Sequence, residues 1–124
     1  MEPPLNVLGT PLLSCSHDPV TGWYRDGCCN TDSNDHGSHT VCARVTTEFL
    51  EFLREAGNDL IRPALQHGFR GLVAGDQWCV CAASWRQAYR EGMACSVHLE
   101  STHGKALEII PLEELMEFAI AHEV

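Results

Sequence analysis

Lysine is nearly absent from this sequence, since seven of the eight basic residues are arginine and only Lys105 is lysine. Seventeen acidic residues leave a formal net charge of -9. A surface of that sign repels nucleic-acid phosphates and anionic lipid headgroups. The charge therefore argues against nucleic acid and membranes as partners.

Long apolar runs are also missing. The longest run covers Trp78–Ala83, far short of the roughly 20 residues that a transmembrane helix needs. No basic residue precedes Arg25, and the first twenty residues contain four prolines and no apolar segment of the kind found in a secretory signal. We therefore expect a cytoplasmic protein with a single domain over residues 1–124, of which residues 1–5 are disordered.

Familiar catalytic motifs are absent as well. The sequence has no Gly-rich phosphate loop, no GxSxG nucleophile elbow and no HExxH zinc motif. It also lacks the Cys-x2–4-Cys knuckles that are typical of structural zinc sites. Whether the protein is an enzyme thus has to be argued from individual side chains.

Hydrophobic spacing and turn residues predict three helices and three strands. The predicted helices run from Thr46 or Thr47 to Ala56, from a Ser84 cap to Gly92, and from Pro111 onward with Leu112, Leu115, Met116, Ala119 and Ile120 facing inward. The predicted strands are Gln77–Ala82, Val97–Glu100 and Leu107–Ile110. This order indicates an α+β fold, a small two-layer sandwich with a short sheet and helices on one side.

Residues 14–42 contrast with the rest of the chain, because they are rich in turn formers and poor in apolar side chains. We expect a long irregular loop there, rich in cysteine and histidine. Its metal-binding residue types are Cys15, His17, Cys28, Cys29, His36, His39 and Cys42. Seven cysteines in a chain without an export signal favour reduced thiols or a metal over a disulfide framework.

The cysteines of the predicted strand have two interpretations, as metal ligands or as core residues. In a strand over Gln77–Ala82, Cys79 and Cys81 point to the same face, where they either bind a soft metal or fill the core. Zinc is the metal that we expect, if one is bound. The candidate ligands are Cys28, Cys29, His39, Cys42, Cys79 and Cys81.

A reactive thiol is the catalytic alternative. Cys28 and Cys29 follow Arg25, whose charge favours a thiolate. His39 is the candidate base, provided that the loop folds back on itself. Either Asp26 or Asp35 is expected to orient that imidazole.

Polar residues near turns are candidate walls of a ligand pocket. They are Arg25, Asp26, Asn58, Asp59, Asp76 and Trp78. Turn formation alone also accounts for Asn58, Asp59 and Asp76. The ligand expected there is a small polar molecule of unknown identity.

Four runs together resemble an uncharacterised family of bacterial and plant proteins, domain of unknown function 2237. The runs are Thr21–Cys29, His39–Ala43, Gly57–Leu60 and Gly75–Cys81. The resemblance implies a complete single-domain member with an α+β fold. It places the family's cysteine motifs on Cys15, Cys28, Cys29, Cys42, Cys79 and Cys81, with Cys95 as an extra, and it implies no activity.

The sequence as a whole favours a cytoplasmic domain whose Cys/His-rich loop packs against the Cys79-x-Cys81 strand and forms one polar, thiol-lined site. That site is expected to bind a metal or a small polar ligand. One alternative is a thiol-dependent enzyme that uses Cys28 or Cys29. The other is a structural or interaction protein with cysteines in its core and an acidic C-terminal face.

Overall fold

The computed structural model describes residues 4–120. Its helices are α1 Thr47–Glu55, α2 Ala82–Arg90 and α3 Leu112–Met116, and its strands are β1 Val41–Arg44, β2 Gln77–Val80 and β3 Ser96–Val97. Short 3-10 helices cover Leu65–His67, Leu99–Ser101 and Gly104–Glu108. The fold is therefore α+β, as predicted.

The strands form one antiparallel sheet in the order β2-β1-β3. Strand β1 lies at its centre, yet the sequence did not predict it, because Val41–Arg44 is only four residues long. The predicted strand Gln77–Ala82 starts as expected but ends at Val80. Its side chains alternate as predicted, since Trp78 and Val80 enter the main core while Cys79 lies in a separate cysteine cluster.

Two strand predictions in the last third of the chain need correction. Only Ser96–Val97 is extended, and the chain then turns into the 3-10 helix Leu99–Ser101. The predicted strand Leu107–Ile110 is wrong, because the chain coils there into the 3-10 helix Gly104–Glu108. A side-chain cap starts that helix, in which the Lys105 amide donates to Nδ1 of His103 at 3.0 Å.

Helix α1 follows its prediction closely. The Thr46 hydroxyl accepts a hydrogen bond from the Phe49 amide at 3.1 Å and caps the helix. Phe49, Leu50 and Leu53 are buried on one face, as the three-to-four spacing predicted.

Helix α2 begins three residues earlier than predicted. Its N-cap is Cys81, so Ser84 lies inside the first turn and does not cap it. The Ala82 amide donates to the carbonyl of Ser38 at 3.0 Å, which ties this helix start to the loop before β1. Trp85 and Ala88 are buried.

Helix α3 is shorter than predicted. Pro111 precedes it and Leu115 is buried, but Met116 is 58% exposed. Residues 118–120 leave the helix and run beside β3, where Val97 donates to Phe118 and Ile120 donates to Val97, each at 2.8 Å. Because these backbone bonds follow β3, the expected inward helical face at Ala119 and Ile120 does not form.

The two faces of the sheet have different partners. Val41 and Ala43 of β1 share the main core with the buried side chains of α1 and α2. The opposite face carries Cys42 and Cys79, which are register partners on neighbouring strands. Residues 14–40, which lie before β1, form turns, bends and isolated bridges but no helix or strand.

Two disulfides connect this loop to the sheet, Cys15–Cys42 and Cys29–Cys79. Their Cα–Cα distances are 5.6 and 5.3 Å, within the usual range for disulfides. The expectation of a chain without disulfides is therefore wrong. It failed because the partners are 27 and 50 residues apart in sequence and only the fold brings them together.

The expected disorder of residues 1–5 falls partly on residues 1–3, which lie outside the described residues. Within the described chain, the Pro4 carbonyl accepts from the Leu12 amide and the Leu5 carbonyl accepts from the Gly104 amide, both at 2.9 Å. Pro4 and Leu5 are thus held against the rest of the protein.

Candidate functional site

Cys81, His39 and Asp35 lie next to one another at the start of α2, and we call them the Cys81 triad. Nδ1 of His39 lies 2.6 Å from Oδ1 of Asp35, and the His39 ring also interacts with the Cys81 side chain. A nucleophile, an imidazole and a carboxylate in this order have the arrangement of a catalytic triad.

Asp35 is the anchor of the Cys81 triad. Its side chain is fully buried. One carboxylate oxygen, Oδ2, accepts from the His39 amide and from the Thr31 hydroxyl, both at 2.9 Å. Burial raises the pKa of Asp35, but the hydrogen bonds from His39 and Thr31 outweigh it and hold this pKa below its ordinary value. The carboxylate therefore stays ionised and fixes the imidazole.

The pKa of His39 is raised to about 9, chiefly by the hydrogen bond with Cys81, then by the hydrogen bond with Asp35, against the opposing effect of burial. An imidazole with that pKa is protonated at neutral pH. His39 thus places a positive charge beside the Cys81 sulfur.

Gly37 and Ser38 position the loop against α2. A Cβ atom on Gly37 would lie 2.9 Å from Cε1 of His39 and 3.1 Å from Sγ of Cys81. The absence of a side chain at Gly37 therefore lets the ring and the sulfur approach each other. The Ser38 carbonyl accepts from the Ala82 amide, which keeps the loop at the helix start.

The start of α2 adds a further electrostatic feature. Cys81 is its N-cap, and no side chain accepts a hydrogen bond from the first-turn amides. Amide groups at a helix N-terminus carry partial positive charge and stabilise anions. The Cys81 thiol is therefore placed beside both an imidazolium and a helix N-terminus.

A cleft of about 370 Å³ adjoins the Cys81 triad at His39. It is lined by Gly22, Trp23, Arg25, His39, Leu60, Trp78 and Cys79. Trp23 stacks on His39 with ring centroids 6.2 Å apart, and the Arg25 guanidinium lies 5.2 Å from the centre of the Trp78 ring. Arg25 and protonated His39 thus place positive charge in this cleft, although the protein as a whole has a net charge of -9.

The predicted ligand-binding residues divide into two groups. Arg25 and Trp78 line the cleft. Asp26 accepts from the Cys28 amide, Asp59 accepts from the amides of residues 61 and 62, and Asp76 accepts from residue 73 and pairs with Arg70.

Asn58 donates its amide to the Leu53 carbonyl at the end of α1. Among the residues that line the cleft in the described structure, neither Asn58 nor the three aspartates occurs. Turn formation explains these four residues.

The predicted nucleophiles lie outside the Cys81 triad. Cys29 is bonded to Cys79 and has no free thiol. Cys28 is half-buried and free, but burial and the neighbouring Asp26 raise its pKa, which opposes the thiolate that Arg25 was expected to favour. The structure brings His39 and Asp35 together as predicted for a base and its orienting residue, but next to Cys81.

The candidate metal ligands are also separated. Within residues 4–120, the group of side chains close enough to hold a metal is Cys15, Cys29 and Cys79, whose Sγ atoms lie within 4.8 Å of one another. Cys42 joins the same buried cluster through its bond to Cys15. Cys28, Cys81 and His39 are not part of it.

Sequence reasoning missed Cys81 as the neighbour of His39 and Leu60 as a cleft wall, and it identified Trp23 only as a core or pocket residue. Cysteine is not a favoured N-cap residue, so Cys81 carried no signal of its position at a helix start. The aromatic Trp23 stands in a turn-rich segment, where its exposure of 42% has no sequence signature.

No helix within residues 4–120 is long and apolar enough to cross a membrane. No curated protein matches the chain. Residues 5–119 match the family described as an uncharacterised protein conserved in bacteria, DUF2237. Since this match covers nearly the whole chain, the protein belongs to the uncharacterised bacterial family DUF2237.

Proposed function

We propose that the protein is a thiol-dependent enzyme that forms a covalent intermediate on Cys81 with a small carbonyl compound bound in the adjacent cleft. The Cys81 triad is the observation that carries this proposal. A thiol, an imidazole and a buried carboxylate in series perform acyl transfer on several unrelated folds.

His39 acts first as a general acid in this scheme. The Cys81 thiolate attacks the carbonyl carbon of the substrate, and a carbon–sulfur bond forms as the bond to the leaving group breaks. Protonated His39 gives its proton to the leaving group. The first-turn amides of α2 that follow Ala82 stabilise the negative charge that develops on the carbonyl oxygen, since the Ala82 amide already donates to the Ser38 carbonyl.

His39 acts as a general base in the second half. Neutral His39 takes a proton from water, whose oxygen attacks the thioester carbon. The carbon–sulfur bond breaks, and the Cys81 thiolate and protonated His39 are restored. Asp35 is a positioning residue, because its Oδ1 contacts Nδ1 of the imidazole and keeps the tautomer and ring orientation constant.

The cleft supports a small polar substrate. Its volume of about 370 Å³ is at the lower end for small-molecule sites. Trp23 and Trp78 supply flat apolar walls, while Arg25 and protonated His39 supply positive charge. A compound with a carbonyl group and a negatively charged or polar end fits this combination.

Acylation by p-nitrophenyl acetate tests the proposal without knowledge of the natural substrate. We expect release of p-nitrophenolate and an acetyl group on Cys81, located by peptide mass spectrometry. Cys81→Ser removes this product. Cys28→Ser is the matched control, since Cys28 is the other half-buried free thiol and its loss leaves Cys81 acetylated.

The His39→Asn variant distinguishes acetylation that the Cys81 triad catalyses from acetylation of Cys81 merely because its thiol is exposed. An asparagine amide can still donate to Asp35 but cannot transfer a proton, so acetylation of Cys81 should slow by about 10²-fold or more. Acetylation of Cys28 ahead of Cys81, or an unchanged rate in His39→Asn, would show that the Cys81 triad is not catalytic.

The cytoplasmic location and the absence of nucleic-acid partners remain proposals that rest on the sequence. The net charge of -9 supports the second. The two disulfides bear on the first, because stable disulfides are typical of oxidising compartments. Fractionation of cells that express the full chain, with the thiols trapped by alkylation during lysis, measures location and redox state together.

A further inference from the structure

Four cysteine sulfur atoms lie together on the sheet face opposite the main core. Cys42 and Cys79 are register partners on β1 and β2, and Cys15 and Cys29 approach them from the loop. All four side chains are buried, with exposures of 5% or less. We call these four residues the cysteine cluster.

Three of the four sulfur atoms in the cysteine cluster lie close enough together to hold one ion. The Sγ atoms of Cys15, Cys29 and Cys79 lie within 4.8 Å of one another, although Cys15 belongs to a different disulfide from the other two. A tetrahedral zinc ion with four thiolates has zinc–sulfur distances of about 2.3 Å, which correspond to sulfur–sulfur distances of about 3.8 Å. The Cys42 sulfur is bonded to that of Cys15 but does not belong to this group of three. Opening both disulfides therefore has to bring the Cys42 sulfur toward those of Cys29 and Cys79 to complete the tetrahedron.

Hydrogen bonds hold the cluster backbone independently of the sulfur bonds. The Cys79 amide donates to the Thr21 hydroxyl at 2.9 Å, and the Cys42 amide donates to the Thr102 hydroxyl at 3.2 Å. The Cys15 amide donates to the Gly27 carbonyl at 2.6 Å. These contacts hold the backbone of three of the four cysteines without relying on the sulfur bonds.

The irregular structure of the loop is a physical reason to expect a bound metal that stabilises it. Residues 14–40 contain no helix or strand, and the disulfides join this loop covalently to the sheet. In a reducing compartment the two disulfides open. One metal ion bound by the same four sulfurs would then hold the loop to the sheet in their place. Zinc binding to a thiolate cluster contributes directly to folding free energy.

We propose that Cys15, Cys29, Cys42 and Cys79 form a tetrathiolate zinc site in the reduced protein, and that the two disulfides are the metal-free, oxidised state of the same cluster. Its ligands are distinct from the Cys81 triad, because Cys81 and His39 supply no ligand to it, although Cys79 also lines the cleft.

The interconversion balances with a dithiol and a peroxide as co-reactants. Each disulfide takes two electrons and two protons from one dithiol, which itself becomes a disulfide. The four resulting thiols release four protons to water as they bind Zn²⁺. In reverse, two molecules of hydrogen peroxide take four electrons from the four thiolates and, with four protons, become four water molecules, while both disulfides form and Zn²⁺ is released.

Native mass spectrometry of the full chain tests the site with zinc alone as the probe. The protein is reduced with a phosphine, the phosphine is removed, and one equivalent of Zn²⁺ is added. We expect one zinc per chain in the reduced protein and none in the oxidised protein. Addition of peroxide should release the zinc and restore Cys15–Cys42 and Cys29–Cys79, identified by peptide mapping.

Substitutions distinguish this cluster from other cysteines. Cys15→Ser should remove tight zinc binding, whereas Cys28→Ser, Cys81→Ser and Cys95→Ser should retain it. Since Cys15→Ser can impair folding, Co²⁺ added to the unsubstituted reduced protein provides a second measurement. Four thiolate ligands give intense tetrahedral cobalt bands in visible absorption.

Three results would overturn the proposal. They are a reduced, folded chain that binds no zinc, a cobalt spectrum without tetrahedral thiolate bands, and zinc that is retained in Cys15→Ser but lost in Cys28→Ser or Cys81→Ser. The last result would place a metal in the loop and beside α2 instead.

Discussion

At the scale of single residues, the chemistry of the proposed site depends on small side chains that allow large ones to meet. Gly37 leaves room for both the His39 ring and the Cys81 sulfur. Asp35 contributes a carboxylate whose oxygens are already occupied by His39 and Thr31. The His39 imidazole is therefore held in place by Asp35 and faces the Cys81 thiol with its other side.

Gly37→Ala should slow the alkylation of Cys81 by iodoacetamide by about three- to tenfold, as expected when a contact worth about 1 kcal/mol is lost. The added Cβ would lie 2.9 Å from the ring and 3.1 Å from the sulfur, so the ring must move. Gly104→Ala is the control, because its Cβ would meet its nearest atoms, the carbonyl oxygens of Leu5 and Asn6, at 3.4 Å, which is an ordinary contact. Equal rates in both variants would contradict the role of Gly37.

His39 should make stability fall as the pH rises. The pKa of His39 in the folded protein is about 9, above the ordinary value of 6.5. The contribution of protonated His39 to the free energy of unfolding is therefore complete below about pH 6.5 and is lost as the pH rises through about 9. Asp35 and Cys81 face its ring directly, Trp23 stacks on it, and Arg25 lies in the same cleft.

Urea unfolding at about pH 7 and about pH 10 measures this effect. Other groups also titrate in that range, so the comparison is between the native chain and His39→Asn. We expect the native chain to lose more stability over the interval than the variant. The same loss in both proteins would refute the raised pKa of His39.

At the scale of elements, the sequence and the structure agree best where one local signal is strong. Helix α1 has a threonine cap, an amphipathic stripe and a glycine after its end, and it forms as predicted. Helix α2 lacks a favoured cap, and its start is decided by the end of β2 and by the Ser38 carbonyl. That displacement places Cys81 at a helix start.

Thr46→Ala should lower the free energy of unfolding by about 1 kcal/mol, because the hydroxyl that accepts from the Phe49 amide is lost. Thr47→Ala is the matched control, since Thr47 is exposed and does not cap the helix. Urea denaturation of both variants measures the difference. A larger loss in Thr47→Ala would contradict the assignment of the cap.

At the scale of the whole molecule, two disulfides join an irregular N-terminal region to a small sheet. The pairs span 27 and 50 residues and overlap along the chain. Loop-closure entropy gives about 3.5 and about 4 kcal/mol for loops of these lengths taken separately. Their overlap makes the sum smaller, since closing one loop already restricts the other.

Reduction in the presence of a chelator should therefore lower the urea midpoint by an amount that corresponds to several kcal/mol, on the order of 3 to 6. The chelator is needed because a bound metal would compensate for the lost bonds. Urea titration of the oxidised and the reduced chain, each with all metal removed, measures the effect. An unchanged midpoint would mean that the loop is held by its other contacts alone.

Part of the proposed site followed from residue types. His39 and Asp35 were identified as a base and an orienting group, and Arg25 and Trp78 were identified as walls of a pocket. The nucleophile was not identified, because the thiol next to His39 comes from a strand end more than forty residues later in the chain. Cys28 is closer to His39 in sequence, but the structure places the Cys81 side chain next to the His39 ring.

The sequence by itself determined the fold class, the family, helix α1 and the alternation of Trp78, Cys79 and Val80 between two faces. These features depend on local spacing and turn chemistry, which act over a few residues. Only the tertiary structure decided which cysteines pair, where the central strand lies and which thiol meets His39. Those outcomes depend on contacts between residues far apart in the chain, and no local pattern encodes which distant side chains become neighbours.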